Sequence, residues 1–95
     1  MSTEEHFQKG LSLFKALSHV ARLRVIHIVL NTKRPLHIKA ISKKLQMDYA
    51  AVYRHIKVLE DSGLVNIYEV GRSRVVVIND PQAIENLIQI IQSFT

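Results

Sequence analysis

The clearest pattern of apolar and polar positions lies between residues 38 and 64. Ile38, Ile41 and Leu45 recur at helical spacing with lysines between them, which predicts a short amphipathic helix. This helix is expected to end near Gln46. Asp48 is then the predicted N-cap of a second helix, because its carboxylate can accept a hydrogen bond from a free backbone N–H of the first turn.

The second helix of this stretch is predicted to start at Tyr49 and to end at Gly63, which permits the left-handed conformation found at many helix ends. Its apolar stripe consists of Val52, Ile56 and Leu59, with Val58 beside them. The opposite face carries Tyr49, Ala50, Tyr53, Arg54 and Lys57. Two short helices joined by a tight turn, the second with an exposed basic and aromatic face, indicate a DNA-reading helix-turn-helix over about residues 38–63.

The N-terminal region predicts another amphipathic helix. Ser2 and Glu5 have the spacing of a capping box, and apolar residues follow at helical spacing at Phe7, Leu11 and Phe14. This stripe is wide enough to contact both the core and a second subunit. The alternative is that the helix packs only on its own core. The width of the apolar stripe alone does not distinguish these two arrangements.

A further helix is predicted from Ser18, as its N-cap, to Asn31. It is apolar on nearly all sides, so we expect it in the middle of the domain. His27 on this helix is interpreted as a core residue rather than a ligand or pH sensor. A loop follows over residues 31–35, and residues 36–37 are expected to begin a strand.

Residues from about 65 to 79 predict a β-hairpin, or wing, with a turn at Gly71-Arg72-Ser73. Arg72 and Arg74 at its tip are expected to contact the sugar-phosphate backbone or an adjacent minor groove. The alternative is that they only keep the hairpin soluble. DNA contact is favoured because no Lys or Arg occurs from Val75 onward.

The last helix is predicted over about residues 81–94, with Asp80 as N-cap and Pro81 as the first helical residue. Its apolar face is wider than a small domain can cover, and its polar face lacks the Lys and Arg that would favour a membrane surface. We therefore expect a homodimer with two reader helices about 34 Å apart. Its interface is predicted to include Phe7, Leu11, Phe14, Ile84, Leu87, Ile88 and Ile91.

Charge supports a polyanionic partner. The 95 residues fit a single domain, residues 1–95, with 13 Lys and Arg against 8 Asp and Glu and a net charge of +5. Between Arg22 and Lys57 the only acid is Asp48, so the positive charge is concentrated on the predicted helix-turn-helix.

Other classes of protein are not indicated. The chain has no cysteine, no Gly-rich phosphate loop, no HExxH motif, and no histidine spacing that favours a metal, so we predict no enzyme, no metal and no cofactor. No apolar run approaches the length of a membrane span, and the N-terminus is unlike a secretory signal. We expect a cytoplasmic protein with no membrane partner.

Three segments carry a family resemblance through their order and spacing: FKALSHVARLRVIHIVL, LHIKAISKKLQMDYAAVYRHIKVLEDSGLV and GRSRVVVIN. From about Phe14 to Asn79 the chain resembles the ArsR-type winged helix-turn-helix transcription regulators. The resemblance implies a mainly α fold with a small β-hairpin wing and terminal dimerisation helices. It also implies a dimeric repressor that binds an inverted-repeat operator in double-stranded DNA.

The expected DNA-contacting residues lie on both reader helices and the wing: Lys39, Lys43, Lys44, Tyr49, Ala50, Tyr53, Arg54, Lys57, Arg72, Ser73 and Arg74. The chain departs from the family at three places. Val20 stands where such proteins often carry Pro. Gln46 stands in the turn where Gly is usual, and His37, Lys39 and Ala40 stand where metal-responsive members carry Cys-x-Cys-Asp, so metal regulation is not expected. The alternative function is a winged helix for protein contacts within a larger transcription or repair assembly.

Overall fold

The computed structural model describes residues 1–95, which form five helices and a three-stranded antiparallel sheet. In chain order the elements are α1 (Thr3–Leu17), α2 (Val20–Thr32), β1 (Leu36–His37), α3 (Ile38–Leu45), α4 (Tyr49–Asp61), β2 (Val65–Val70), β3 (Ser73–Ile78) and α5 (Pro81–Ser93). The predicted order of helices and strands is confirmed.

Local capping interactions begin α1 and α5 where the sequence predicts. The Glu5 N–H donates to the Ser2 hydroxyl at 3.2 Å, and the Ser2 N–H donates to the Glu5 carboxylate at 3.4 Å. At α5, the Ala83 N–H donates to the Asp80 carboxylate at 3.1 Å. These bonds satisfy backbone donors that have no partner within the first helical turn.

The prediction that Ser18 caps α2 is wrong. The N-cap is His19, whose Nδ1 accepts a hydrogen bond from the Ala21 N–H at 3.2 Å. Ser18 instead ends α1, and its hydroxyl donates to the Lys15 carbonyl at 3.0 Å. A neutral imidazole has one acceptor nitrogen, so it can replace the hydroxyl or carboxylate oxygen that usually caps a helix.

The interpretation of His27 as a core residue is also wrong. His27 is exposed on α2, and its Nδ1 lies 3.1 Å from the Asn31 side-chain amide nitrogen. The residues that α2 buries lie on one side only and are Ala21, Val25, Ile26 and Val29. The outer side of α2 stays exposed within one chain because its neighbours α1, α3, α4 and β3 cover only the inner side.

The wing is a β2–β3 hairpin to which β1 adds a third strand, in the order β1-β3-β2. Val65 pairs with Ile78 and Val70 pairs with Ser73. The turn is therefore shorter than predicted, because Ser73 already belongs to β3. Gly71 adopts a φ of 61°, as the first central residue of many two-residue hairpin turns does.

The core lies between α2, α3, α4 and the sheet, and it determines which face of α4 is exposed. The largest fully buried side chains are Ile38, Ile41, Ile56, Leu59, Val25, Val52, Val65 and Val76. Val52, Ile56 and Leu59 of the predicted stripe of α4 are thus completely buried, whereas Val58 beside them is 37% exposed. Burial of each fully buried side chain is worth about 1.5–3 kcal/mol. Because a helix has two faces, this packing turns the basic and aromatic side of α4 outward.

Candidate nucleic-acid interface

The turn between α3 and α4 fixes how the two reader helices meet. Gln46 ends α3 in the left-handed conformation, with φ 55° and ψ 46°, and its N–H donates to the Lys43 carbonyl at 3.2 Å. The Met47 N–H donates to the Ser42 carbonyl at 3.1 Å. Asp48 is the N-cap residue of α4, as predicted, but its carboxylate accepts no capping hydrogen bond, contrary to prediction.

The outer face of α4 presents aromatic and basic groups. Tyr49 is 39% exposed, and Ala50 and Arg54 are exposed as well. The Arg54 side chain forms no hydrogen bond or ion pair. Its guanidinium therefore has all five N–H donors available, in a planar geometry that matches the acceptor edge of guanine.

Tyr53 and Arg74 are less free than the sequence suggests. The Arg74 guanidinium carbon lies 4.6 Å from the centroid of the Tyr53 ring, and the Tyr49 and Tyr53 rings are nearly parallel with centroids 6.4 Å apart. The Tyr49 hydroxyl, and then that of Tyr53, raise the pKa of Arg74 above its ordinary value. This stack joins β3 of the wing to the first turns of α4.

Lys57 is also engaged within the domain. Its Nζ lies 2.8 Å from the Glu60 carboxylate and 3.9 Å from that of Asp61. The hydrogen bond to Glu60 and its charge raise the pKa of Lys57, and the pKa of Glu60 is lowered by the same bond and by the Ile67 N–H. Contact of Lys57 with a phosphate would have to compete with this pair.

The wing and α3 enclose a small basic cleft of about 170 Å³. This cleft brings together five of the residues that are predicted to contact DNA, and it also includes His37. The sequence indicates His37 only as a strand residue and as the match to a metal-ligand position of the family. The lining consists of His37, Lys39, Tyr49, Arg72, Ser73 and Arg74. Lys43 and Lys44 are exposed on the last turn of α3, outside this cleft.

A network that sequence reasoning missed holds α4 against the ends of α1 and α2. The Arg22 Nε–H donates to His55 Nδ1 at 3.2 Å, and Arg22 Nη1 donates to the carbonyls of Lys15 and Ala16 at 3.4 Å. The His19 and His55 ring centroids are 4.4 Å apart. Burial, and then the charges of His19, Arg22 and Arg54, lower the pKa of His55.

The terminal helices leave apolar side chains uncovered. Phe7 and Phe14 are each 66% exposed and Leu11 and Ile91 about half exposed, while Leu87 and Ile88 are half-buried. Ile84 differs from the prediction, because it is only 4% exposed and belongs to the core of its own chain. The first turn of α5 packs inward, and the apolar surface available to a second subunit lies further along the helix, where Ile90 and Phe94 are also exposed.

None of the five helices combines the length and the hydropathy that a membrane crossing requires. No group of three or more His, Cys, Asp or Glu side chains is arranged to hold a metal ion.

A helix-turn-helix with a β-hairpin wing beside its second helix defines a winged helix-turn-helix protein of the DNA-binding type. The model of the helix-turn-helix domain family matches residues 17–68, and the chain belongs to this family. No curated protein sequence gives a significant match. The assignment therefore rests on this family model and on solved structures.

Solved structures share the fold along almost the whole chain. One is the homodimeric winged helix-turn-helix DNA-binding domain of a possible ArsR-family transcriptional regulator from Mycobacterium bovis, with a TM-score of 0.82, 18% identity and coverage of 98% of this chain and 88% of that one. Another is HlyU from Vibrio cholerae, with a TM-score of 0.77, 20% identity and coverage of 99% and 97%.

A third neighbour, the crystal structure of an ArsR family transcriptional regulator, has a TM-score of 0.69, 26% identity and coverage of 90% of this chain and 94% of that one. These matches confirm the predicted fold class and the resemblance to the ArsR-type regulators. The fold is that of a DNA-binding transcriptional regulator.

Proposed function

We propose that this protein is a sequence-specific, homodimeric transcriptional repressor that occupies an inverted-repeat operator in double-stranded DNA. The observation that carries the proposal is the outer face of α4, where Tyr49, Ala50 and Arg54 are exposed within the first turns. In helix-turn-helix proteins this part of the second helix enters the major groove and contacts base edges. Unpaired cations border it on α3 and on the wing.

The proposed contacts fall into two groups. Arg54, Tyr49 and Ala50 read bases, with Arg54 donating two hydrogen bonds to guanine. Phosphates are bound by the exposed cations Lys39, Lys43, Lys44 and Arg72, together with Ser73. Tyr53 and Arg74 form the stacked link between α4 and the wing, and Lys57 adds a phosphate contact when its pair with Glu60 opens.

Dimerisation is proposed through α1 and α5. Their exposed apolar residues are the largest group of such side chains in the chain, and the similar Mycobacterium bovis domain is homodimeric. A dimer with two-fold symmetry presents two copies of α4 to two half-sites of opposite orientation. Occupation of such a site in a promoter blocks transcription sterically.

The test is footprinting on the DNA upstream of the protein's own coding sequence, followed by gel shift on the protected segment and on a scrambled duplex. We expect protection of an inverted repeat and a preference of at least about 1,000-fold over scrambled DNA. Absence of binding to any duplex at low salt would contradict the proposal and favour a protein-contact module. Equal binding to both duplexes would contradict sequence specificity alone.

A further inference from the structure

A second cavity, of about 480 Å³, shares no residue with the candidate nucleic-acid interface. It lies where the C-terminal end of α2, the loop before β1, the end of β3 and the start of α5 meet. This volume falls within the range that accommodates small organic molecules.

The lining of this cavity combines an apolar floor with unpaired cations. Val29, Leu30, Val77 and Ile78 form the floor. Lys33 and Arg34 lie at the rim and make no ion pair, since the only ion pairs in the structure are those of Lys57. Glu85 is the single acid of the lining, so the cavity presents a net positive charge.

The backbone of Lys33 supports a role for its side chain. Lys33 ends α2 with φ 60° and ψ 23°, a left-handed conformation that glycine adopts more readily than any residue with a side chain. A glycine would relieve this strain but would remove the positive charge from the rim. This backbone conformation, which also ends α3 at Gln46, places Lys33 beside the cavity.

We propose that this cavity binds a small organic monocarboxylate with an apolar body. The carboxylate pairs with Lys33 and Arg34, whose charges have no other partner, and the hydrocarbon part covers the floor formed by α2 and β3. Glu85 disfavours a second negative charge on the ligand, which selects monocarboxylates over dicarboxylates. The proposal does not depend on DNA binding.

The experiment is an NMR titration of the ¹⁵N-labelled full chain with 4-phenylbutyrate and, separately, with the neutral 4-phenylbutan-1-ol. The ligand concentration is raised to about 10 mM, because a ligand of this size should bind in the millimolar range or tighter. We expect amide shifts at Leu30, Lys33, Val77 and Glu85 with the carboxylate, and at least ten-fold weaker binding of the alcohol. The double variant Lys33→Gln with Arg34→Gln should weaken carboxylate binding at least ten-fold.

The matched control is the double variant Lys43→Gln with Lys44→Gln, which removes the same charge from α3 and should leave carboxylate binding unchanged. Equal weakening by the two double variants would overturn the proposal, because it would show general attraction of an anion to a basic protein. Equal binding of acid and alcohol, or no saturable shifts at these residues, would overturn it as well.

Discussion

Arg72 and Arg74 lie close together on the wing, yet their surroundings give them different roles. Arg72 is exposed in the turn, whereas Arg74 lies over the Tyr53 ring. Arg72→Ala should weaken operator and scrambled DNA alike and make the slope of log affinity against log salt shallower by about one unit. The measurement is a salt titration by fluorescence anisotropy on both duplexes.

Lysine replacements separate charge from stacking at the same two positions. Arg74→Lys keeps the charge but loses the planar stack, worth about 0.5–1 kcal/mol, so the operator preference should fall about two- to five-fold at an unchanged salt slope. Arg72→Lys is the control and should change neither quantity. If Arg74→Lys left the preference intact, the stack would have no part in positioning α4.

Gln46, like Lys33, has a side chain but adopts the left-handed backbone conformation. Its φ of 55° costs a residue with a Cβ about 1–2 kcal/mol, and glycine regains most of this despite its larger entropy in the unfolded state. Gln46→Gly should therefore raise the free energy of unfolding by about 1 kcal/mol. Urea denaturation should show a higher midpoint with an unchanged m-value.

Gln46→Ala separates this backbone effect from loss of the glutamine side chain, which is exposed. Alanine keeps the Cβ and should give no gain. A similar gain from alanine and glycine would show that the side chain, and not the left-handed turn, limits stability at this position.

At the scale of helices and strands, the parts that sequence predicts well are those set by neighbours along the chain. The capping box of Ser2 and the buried stripe of α4 follow from spacing alone. The stack of Arg74 on Tyr53 does not, because it depends on how closely β3 approaches α4. The pair between Lys57 and Glu60 has the i, i+3 spacing at which oppositely charged residues on a helix meet, so the sequence does contain its signal.

The contact between Arg22 and His55 cannot be predicted from local sequence patterns, because the two residues are 33 positions apart. Burial of His55, and then the charges of His19, Arg22 and Arg54, also make stability depend on pH, because they lower its pKa. Because the folded state lowers the pKa of His55 below 6.5, the unfolded chain binds more protons as the pH falls through 6.5. Stability is therefore expected to decline from pH 7 toward pH 5, where protonation removes the acceptor of the Arg22 hydrogen bond.

The measurement is the urea midpoint at intervals between pH 5 and 7.5. His55→Gln should make the urea midpoint change less with pH. The control is His6→Gln, which removes an exposed histidine of α1 and should leave the change of the midpoint with pH the same as in the unsubstituted protein. The lowered pKa of Glu60 affects stability mainly below about pH 5, at the lower edge of this range. If the urea midpoint of His55→Gln changed with pH as much as that of the unsubstituted protein, groups other than His55 would cause the pH dependence.

The exposed apolar side of α5 provides a test of the interface that leaves the fold intact. Ile91 is 51% exposed within one chain, so Ile91→Glu should cost little in folding but place a charge in the apolar interface. Sedimentation should shift toward monomer, and operator affinity should fall with it. Gln89→Glu adds the same charge at a polar position of α5 and should remain dimeric. A dimeric Ile91→Glu variant would exclude this part of α5 from the interface.

At the scale of the whole molecule, the basic residues and the exposed apolar side of α5 occupy different parts of the chain. The cations lie before Val75, and the last helix has none, so a partner subunit can cover α5 without bringing positive charges together. A rigid dimer of this kind has a fixed distance between its two copies of α4. DNA must then offer two half-sites one helical turn apart, about 34 Å.

Insertion of five base pairs between the half-sites rotates one half-site by half a turn and removes at least two base contacts, each worth about 1–3 kcal/mol. Affinity should therefore fall by at least about 30-fold. The same insertion outside the repeat is the control and should have no effect in a gel shift. Ten inserted base pairs should not restore binding, because they return the half-site to the correct face but double its distance. Full affinity for either spaced operator would mean that the two readers are not held rigidly by the dimer.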